Sequence, residues 1–236
     1  MKYHISFDLE FKRNPYKGLY IALEGIDGSG KTKQAEELAA YFESKKKKVI
    51  LVTEPRKDSK VFSDLVHKIL LGKISLSPIA LQYLFSADRV QNHIENVIPA
   101  LKAGKIVISH RAFWSIVPYA ISDLDPKLYN NTAQFLLVAN NVLSMYHQFI
   151  LPDITFYLNV PADEAMRRLR KRKNKQKEFY EKEEKLRKHI IGYQWELKTF
   201  PKEFTIVDGK QDPEEVMHQI LKKMQVKKKS KEMKLV

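Results

Sequence analysis

The chain has 236 residues, 44% of them hydrophobic, so it can bury a core and falls outside the disordered class. It has no cysteine, which excludes a disulfide framework and a thiolate metal site, and no stretch approaches the roughly 20 apolar residues of a membrane span. The formal charge of +14 suits an anionic partner: a nucleotide, a nucleic acid or an acidic membrane surface.

The first ten residues carry no continuous apolar core and no small-residue cleavage site, so no signal peptide is read and a cytoplasmic protein is expected. Residues 1–17 precede the first core strand and read as an appended arm with no assignable role. Leu19–Glu24 predicts a buried strand that ends at a glycine-rich turn. Thr32–Lys46 has helical spacing, with Ala35, Leu38, Ala39 and Phe42 on one side. Lys48–Thr53 reads as a strand and Val61–Leu71 as a short helix. Ser77 with Pro78 offers a helix start, and that pattern runs to about Leu101. Lys105–Ser109 is a third strand, Pro126–Tyr146 a long apolar helix, and Ile154–Asn159 a fourth strand. Helices are expected at Ala162–Arg172 and Phe179–Leu197, with a polar basic stretch between them. Phe204–Val207 closes the strands and Pro213–Met224 the helices. Residues 226–236 form a basic tail expected to be solvated or frayed. Of the three basic runs, those at Lys45–Lys48 and Lys222–Lys234 read as solvated surface.

Strands that alternate with helices predict a five-stranded parallel sheet covered on both faces, an α/β/α domain over residues 18–225. Right-handed crossovers put every strand's C-terminal end, and the loops that follow, on one edge.

Gly25-Ile-Asp-Gly-Ser-Gly-Lys31-Thr32 fits G-x-x-x-x-G-K-[S/T] between a strand and a helix. Gly25, Gly28, Ser29 and Gly30 let the backbone turn its N–H groups toward phosphate oxygens, and the helix beginning near Lys31 adds its positive end. Lys31 can reach the β and γ phosphates, and the Thr32 hydroxyl can ligate Mg²⁺. This is a P-loop, and ATP with Mg²⁺ is the expected ligand. A GTPase would also need an Asn-Lys-x-Asp motif, and Asn174-Lys-Gln-Lys lacks the final Asp. A motor or helicase would need an acidic pair closing a strand, and none closes one.

Leu84-Phe85-Ser-Ala-Asp-Arg89 falls on the helix after Ser77. Phe85 and Arg89 stand four apart and share a face, which can hold a base between an aromatic plate and a donor fork. On spacing alone, a core phenylalanine beside a surface arginine is the more economical reading.

Five segments together resemble the thymidylate kinase family, in family order and near family spacing: Leu23-Glu-Gly-Ile-Asp-Gly-Ser-Gly-Lys-Thr32, Thr53-Glu-Pro-Arg56, Leu84-Phe-Ser-Ala-Asp-Arg89, Ser109-His-Arg111 with Ser115 and Tyr119, and Pro152-Asp-Ile-Thr-Phe-Tyr-Leu-Asn-Val-Pro161. The resemblance implies phosphoryl transfer from ATP to dTMP, with Mg²⁺, by a homodimer that pairs through the helices around Ile79–Ala100 and Pro126–Tyr146. It also implies roles. Asp27 takes the sugar 3′-hydroxyl of the monophosphate, and Arg56 holds the acceptor phosphate. Phe85 stacks on thymine and Arg89 bonds a thymine carbonyl. Arg111 lies between donor and acceptor phosphates, and Tyr119 sits under the sugar. This P-loop has no arginine, so a lid over about residues 168–180 is implied to supply the catalytic cation. Arg168 and Arg172 are the candidates, with Lys177 behind them.

The chain departs from the family pattern at His110, where an aspartate usually precedes the arginine and helps organise the Mg²⁺ shell. Trp114 is also atypical and is expected either to narrow the acceptor pocket or to pack. Three alternatives accompany the thymidylate reading: a kinase for another deoxynucleoside monophosphate, a nucleotide-binding homologue impaired by His110, and a nucleic-acid binder that exploits the positive charge. His4, His67, His93, His147, His189 and His218 show no metal-ligand spacing and read as ordinary surface or core residues.

Overall fold

The computed structural model describes residues 8, 10–56, 58, 59, 61–122, 139, 143, 149–172 and 181–232. Five strands form one all-parallel sheet: β1 (Leu19–Glu24), β2 (Val49–Thr53), β3 (Ile106–His110), β4 (Ile154–Asn159) and β5 (Phe204–Asp208), in the order β2-β3-β1-β4-β5. Successive strand residues face opposite sides, and the apolar runs supply both. Ile21 and Leu23 of β1, Ile108 of β3 and Phe156 of β4 pack with Ala35, Leu38, Val216 and Ile220 from α1 (Lys31–Ser44) and α8 (Pro213–Glu232). On the other face Tyr20, Ala22 and Val107 meet Val97, Ala100 and Leu101. Beside them Tyr157 of β4 joins a larger aromatic and aliphatic cluster under α5 (Ile116–Ser122), α6 (Ala162–Arg170) and α7 (Glu183–Thr199). The expected parallel sheet with helices on both faces is the fold observed.

Chain direction fixes where a ligand can bind. β1 is central, and its chain leaves toward β2, whereas the chain from the neighbouring β3 leaves toward β4. The loops therefore part at the C-terminal ends of β1 and β3, opening a crevice at that edge. Register places Leu23 beside His110 there.

The helix expected from Ser77 to about Leu101 is interrupted. α3 (Pro78–Asn92) passes into a π turn at His93–Val97 and then α4 (Ile98–Lys102). Pro99 lacks the N–H that would bond the Glu95 carbonyl, and its ring crowds that carbonyl, so the ladder widens by one residue just before it. Ser77 caps α3 by accepting from Ala80 N–H at 3.3 Å. The last helix also exceeds its predicted end at Met224 and continues to Glu232. Lys, Gln, Met and Glu are all good helix formers, so charge alone does not stop it. The helix expected at Pro126–Tyr146 lies outside the described residues except for Ala139 and Leu143, both buried in the larger cluster. Residues 173–180, which hold Lys177 and most of the expected lid, also lie outside them.

The N-terminal arm is attached from Phe11 onward. Lys12 bridges Ile150 in parallel fashion, and its carbonyl accepts from Leu151 N–H at 2.9 Å. Arg13 forms a two-pronged pair with Glu203 at 2.6 Å. Asn14 donates to the Gly18 carbonyl and the Asp153 carboxylate, both at 2.8 Å.

Candidate functional site

The P-loop forms as the glycines predict. Gly25, Gly28 and Gly30 all take positive φ (138°, 84° and 97°), a region costly to residues with a Cβ. At Gly28 a Cβ would also lie 2.5 Å from the Ala165 carbonyl oxygen of α6, so the loop is packed against the helix that leads to the expected lid. Lys31 is 3% exposed and donates to the Ile26 carbonyl at 2.6 Å and the Ser29 hydroxyl at 3.3 Å. Burial, with Arg111 close by, holds its ammonium below the usual lysine range. The Thr32 hydroxyl, at the exposed start of α1, lies 3.4 Å from His110 Nε2.

Arg111 follows β3 directly and links the loop to the neighbouring cleft. Its guanidinium donates to the Gly25 carbonyl at 3.1 Å, the Ser115 hydroxyl at 3.3 Å and the Asp27 carboxylate at 2.5 Å, and stacks 4.9 Å from the Tyr119 ring centre. The Tyr119 hydroxyl donates to the other Asp27 oxygen at 2.9 Å. Burial works against the Asp27 charge, but Arg111 and Lys31 hold its carboxyl well below the ordinary carboxylate range.

This group lines a cleft that is open to solvent. Glu54, Phe85 and Arg89 line the same cleft as Asp27, Arg111 and Tyr119. Arg89 is 8% exposed and bonds Glu54 through Nε. Burial raises the Glu54 carboxyl to about 7, with Arg89 opposing the rise. Phe85 is half-buried on the cleft rim. The structure thus brings together residues from four separate segments.

Other expected residues stand elsewhere. Arg56 is not among the residues lining the cleft: its guanidinium pairs with Glu95 at 2.5 Å and Asp58 at 3.3 Å, and its N–H donates to Asp88 at 2.8 Å. Arg168 pairs with Glu164 at 2.6 Å and donates to the carbonyls of Gly209 and Lys210. Arg172 pairs with Glu181 at 3.1 Å, yet lies near enough to Lys31 to depress its charged form. Trp114 packs and does not narrow the cleft: it is fully buried against Phe113, Phe200 and Phe204.

Three supporting residues escaped the sequence reading. Glu24 is fully buried at the end of β1 and accepts from Ala112 N–H at 2.9 Å, the Ser115 hydroxyl at 2.5 Å and the Tyr193 hydroxyl at 2.9 Å. It ties β1, the turn after β3 and α7 into one frame. Its place immediately before the P-loop was the available signal; Tyr193, far along the chain, offered none. His189 is fully buried and stacks under Tyr119, ring centres 4.0 Å apart, so it supports the cleft wall as well as filling core.

Comparison with known proteins gives the same family that the motifs resemble. The family described as thymidylate kinase matches residues 23–220. A probable thymidylate kinase of Thermococcus kodakarensis is 35% identical over 217 residues, covering 86% of this chain and 95% of that protein. A thymidylate kinase of Thermoanaerobacter sp. (strain X514) is 33% identical over 199 residues, covering 83% and 92%. A thymidylate kinase of Mesoplasma florum is 30% identical over 222 residues, covering 90% of this chain and 100% of its own length.

Proposed function

Because the chain belongs to the thymidylate kinase family, we propose that the P-loop takes ATP and the adjoining cleft takes dTMP, yielding ADP and dTDP. The observation that carries the reading is the position of Arg111. Its guanidinium bonds Gly25 and Asp27 of the P-loop and also lines the adjoining cleft, so a single cation stands where the triphosphate loop meets the acceptor cleft.

The transfer needs no protein nucleophile. An oxygen of the acceptor monophosphate forms the new bond to the γ phosphorus as the bond to the β-bridging oxygen breaks, and ADP departs with that electron pair. The residues position the reactants and balance their charge. Lys31 exchanges its bonds to Ile26 and Ser29 for phosphate oxygens. Asp27 accepts the sugar 3′-hydroxyl, with Tyr119 beneath the ring. Phe85 stacks on the base, and Arg89, steadied by Glu54, bonds a base carbonyl. Arg172, rather than Arg168, is the lid cation in this reading, since Arg168 is engaged with two backbone carbonyls far along the chain.

Mg²⁺ belongs to the same reading. The Thr32 hydroxyl fits it, with the imidazole of His110 alongside in place of a carboxylate, and among the described residues no cluster of acidic or histidine side chains could hold a metal by itself. Held by the Thr32 hydroxyl, the ion would supply positive charge against the nucleotide phosphates. A homodimer comes with the family resemblance.

The test is ADP release with ATP and Mg²⁺ against dTMP, dUMP, dCMP, dAMP and dGMP in turn. Turnover should require dTMP, dTDP should be the product, and Lys31→Ala should lower the rate by about 10²-fold or more. Turnover that requires a different monophosphate would overturn the base assignment, and ADP release independent of any acceptor would overturn the transfer itself.

A further inference from the structure

Residues 10–14 belong to the N-terminal arm, yet Phe11 touches the turn that follows Arg111. The Phe11 ring packs edge-on against Phe113 (5.3 Å between centres), Trp114 (5.6 Å) and Phe200 (5.5 Å). Phe113 and Trp114 begin the 3₁₀ turn Phe113–Ser115. On the opposite side of that turn, Ala112 N–H and the Ser115 hydroxyl bond Glu24, and Ser115 also accepts from Arg111. The turn is held between an aromatic clamp and a buried carboxylate.

The clamp matters because Arg111 has φ 69°. A residue with a Cβ holds such a backbone only where its surroundings over-determine it. Arg111 N–H bonds the Leu23 carbonyl at 3.1 Å, which fixes the turn's start. The aromatic cluster fixes the residues that follow, and Phe11 closes that cluster from outside. The arm itself is pinned immediately after Phe11 by Lys12–Leu151 and Arg13–Glu203.

We infer that the N-terminal arm is a strap whose Phe11 positions Arg111 for phosphoryl transfer by bracing the Phe113–Ser115 turn. Phe11 touches no substrate; it is a positioning residue. The kinetic part of this inference rests on the kinase reading above, and the structural part does not.

The experiment compares the full chain with Phe11→Ala, Phe11→Leu, Arg111→Lys, the double variant Phe11→Ala/Arg111→Lys, and Ile220→Val, a core change on the far sheet face that serves as a stability control. Two quantities are read below every variant's unfolding temperature: hydrogen exchange at residues 111–116, and kcat with KM for ATP. Phe11→Ala should speed exchange in that segment and lower kcat about tenfold, with KM for ATP nearly unchanged. Phe11→Leu, which keeps the volume, should recover most of both. In the Arg111→Lys background Phe11→Ala should add little, because the strap acts through the guanidinium. Ile220→Val should leave both readings in place. Unchanged exchange at 111–116 in Phe11→Ala would overturn the inference whatever the enzyme's substrate. So would kcat losses that simply multiply in the double variant. If Phe11→Ala does not fold, Phe11→Val, a milder truncation that also removes the ring, carries the same comparison, and exchange at 111–116 and kcat in Phe11→Val equal to those in Ile220→Val would overturn it.

Discussion

At the scale of single residues, two positions at the end of β3 bear most on the proposed chemistry. Arg111 gains its reach from an unusual backbone conformation, and His110 stands where its imidazole faces the Thr32 hydroxyl. A carboxylate is a hard oxygen donor suited to Mg²⁺, whereas an imidazole tolerates Mn²⁺ and Co²⁺ better. Measured with each metal in turn, the ratio of kcat/KM with Mn²⁺ to that with Mg²⁺ should be several-fold higher, about 1 kcal/mol in the transition state, in the natural chain than in His110→Asp. An equal ratio in the two proteins would mean that His110 has no influence on the nucleotide's metal. Arg168 and Arg172 separate at the same scale. Arg172→Ala should lower kcat more than Arg168→Ala, since Arg172 acts on the Lys31 charge whereas the Arg168 guanidinium is bonded to the Gly209 and Lys210 carbonyls; steady-state rates of the two variants check it.

Among elements, the contact between α5 and α7 is the one that shapes the cleft at Tyr119. Gly192 of α7 meets Pro118 of α5 so closely that a Cβ there would lie 2.5 Å from the Pro118 Cα. The helices need that approach to stack His189 under Tyr119 and to bring Tyr193 to Glu24. Gly192→Ala should therefore force α7 away and destabilise the fold by about 1–3 kcal/mol, read from urea denaturation, with KM for the acceptor rising as Tyr119 shifts. The π turn at His93–Val97 is a second element-scale device. It lets one long helix pass Pro99 and still present His93 inward, where Nε2 accepts from Ile150 N–H at 3.1 Å.

The whole molecule couples its fold to pH through buried titrating groups. Burial lowers His189 to about 3 and His93 to about 4, so both are neutral when folded and take up protons when unfolded below about 6.5. The unfolded chain then binds more protons, and stability falls as pH drops from about 6.5 toward 4. Glu54 opposes this. Its folded value, about 7, lies above its ordinary 4.5, so between those values the folded chain binds more protons and acid favours it. Urea midpoints between pH 7 and 5 should fall less in His93→Gln than in the natural chain, and should fall more steeply in Glu54→Gln. A flat profile in all three proteins would contradict the neutral buried histidines.

The sequence by itself determined the sheet, the P-loop and the family, because those depend on local signals: alternating apolar runs, glycines at fixed offsets and short motifs in order. It also placed Asp27, Phe85, Arg89, Arg111 and Tyr119 on the elements that meet at the crevice. Element ends were less legible. The π turn answers to one missing N–H at Pro99, and the length of the last helix to propensities that a charge count conceals. Only tertiary structure decided what supports the site. Glu24, Tyr193 and His189 are brought together across as many as 169 positions of chain, and Phe11 reaches Phe113 and Trp114 across about a hundred. Contacts of that kind arise when strands and helices pack, because burial of apolar surface rewards any complementary partner regardless of its place in the chain, and no spacing rule within a segment carries them.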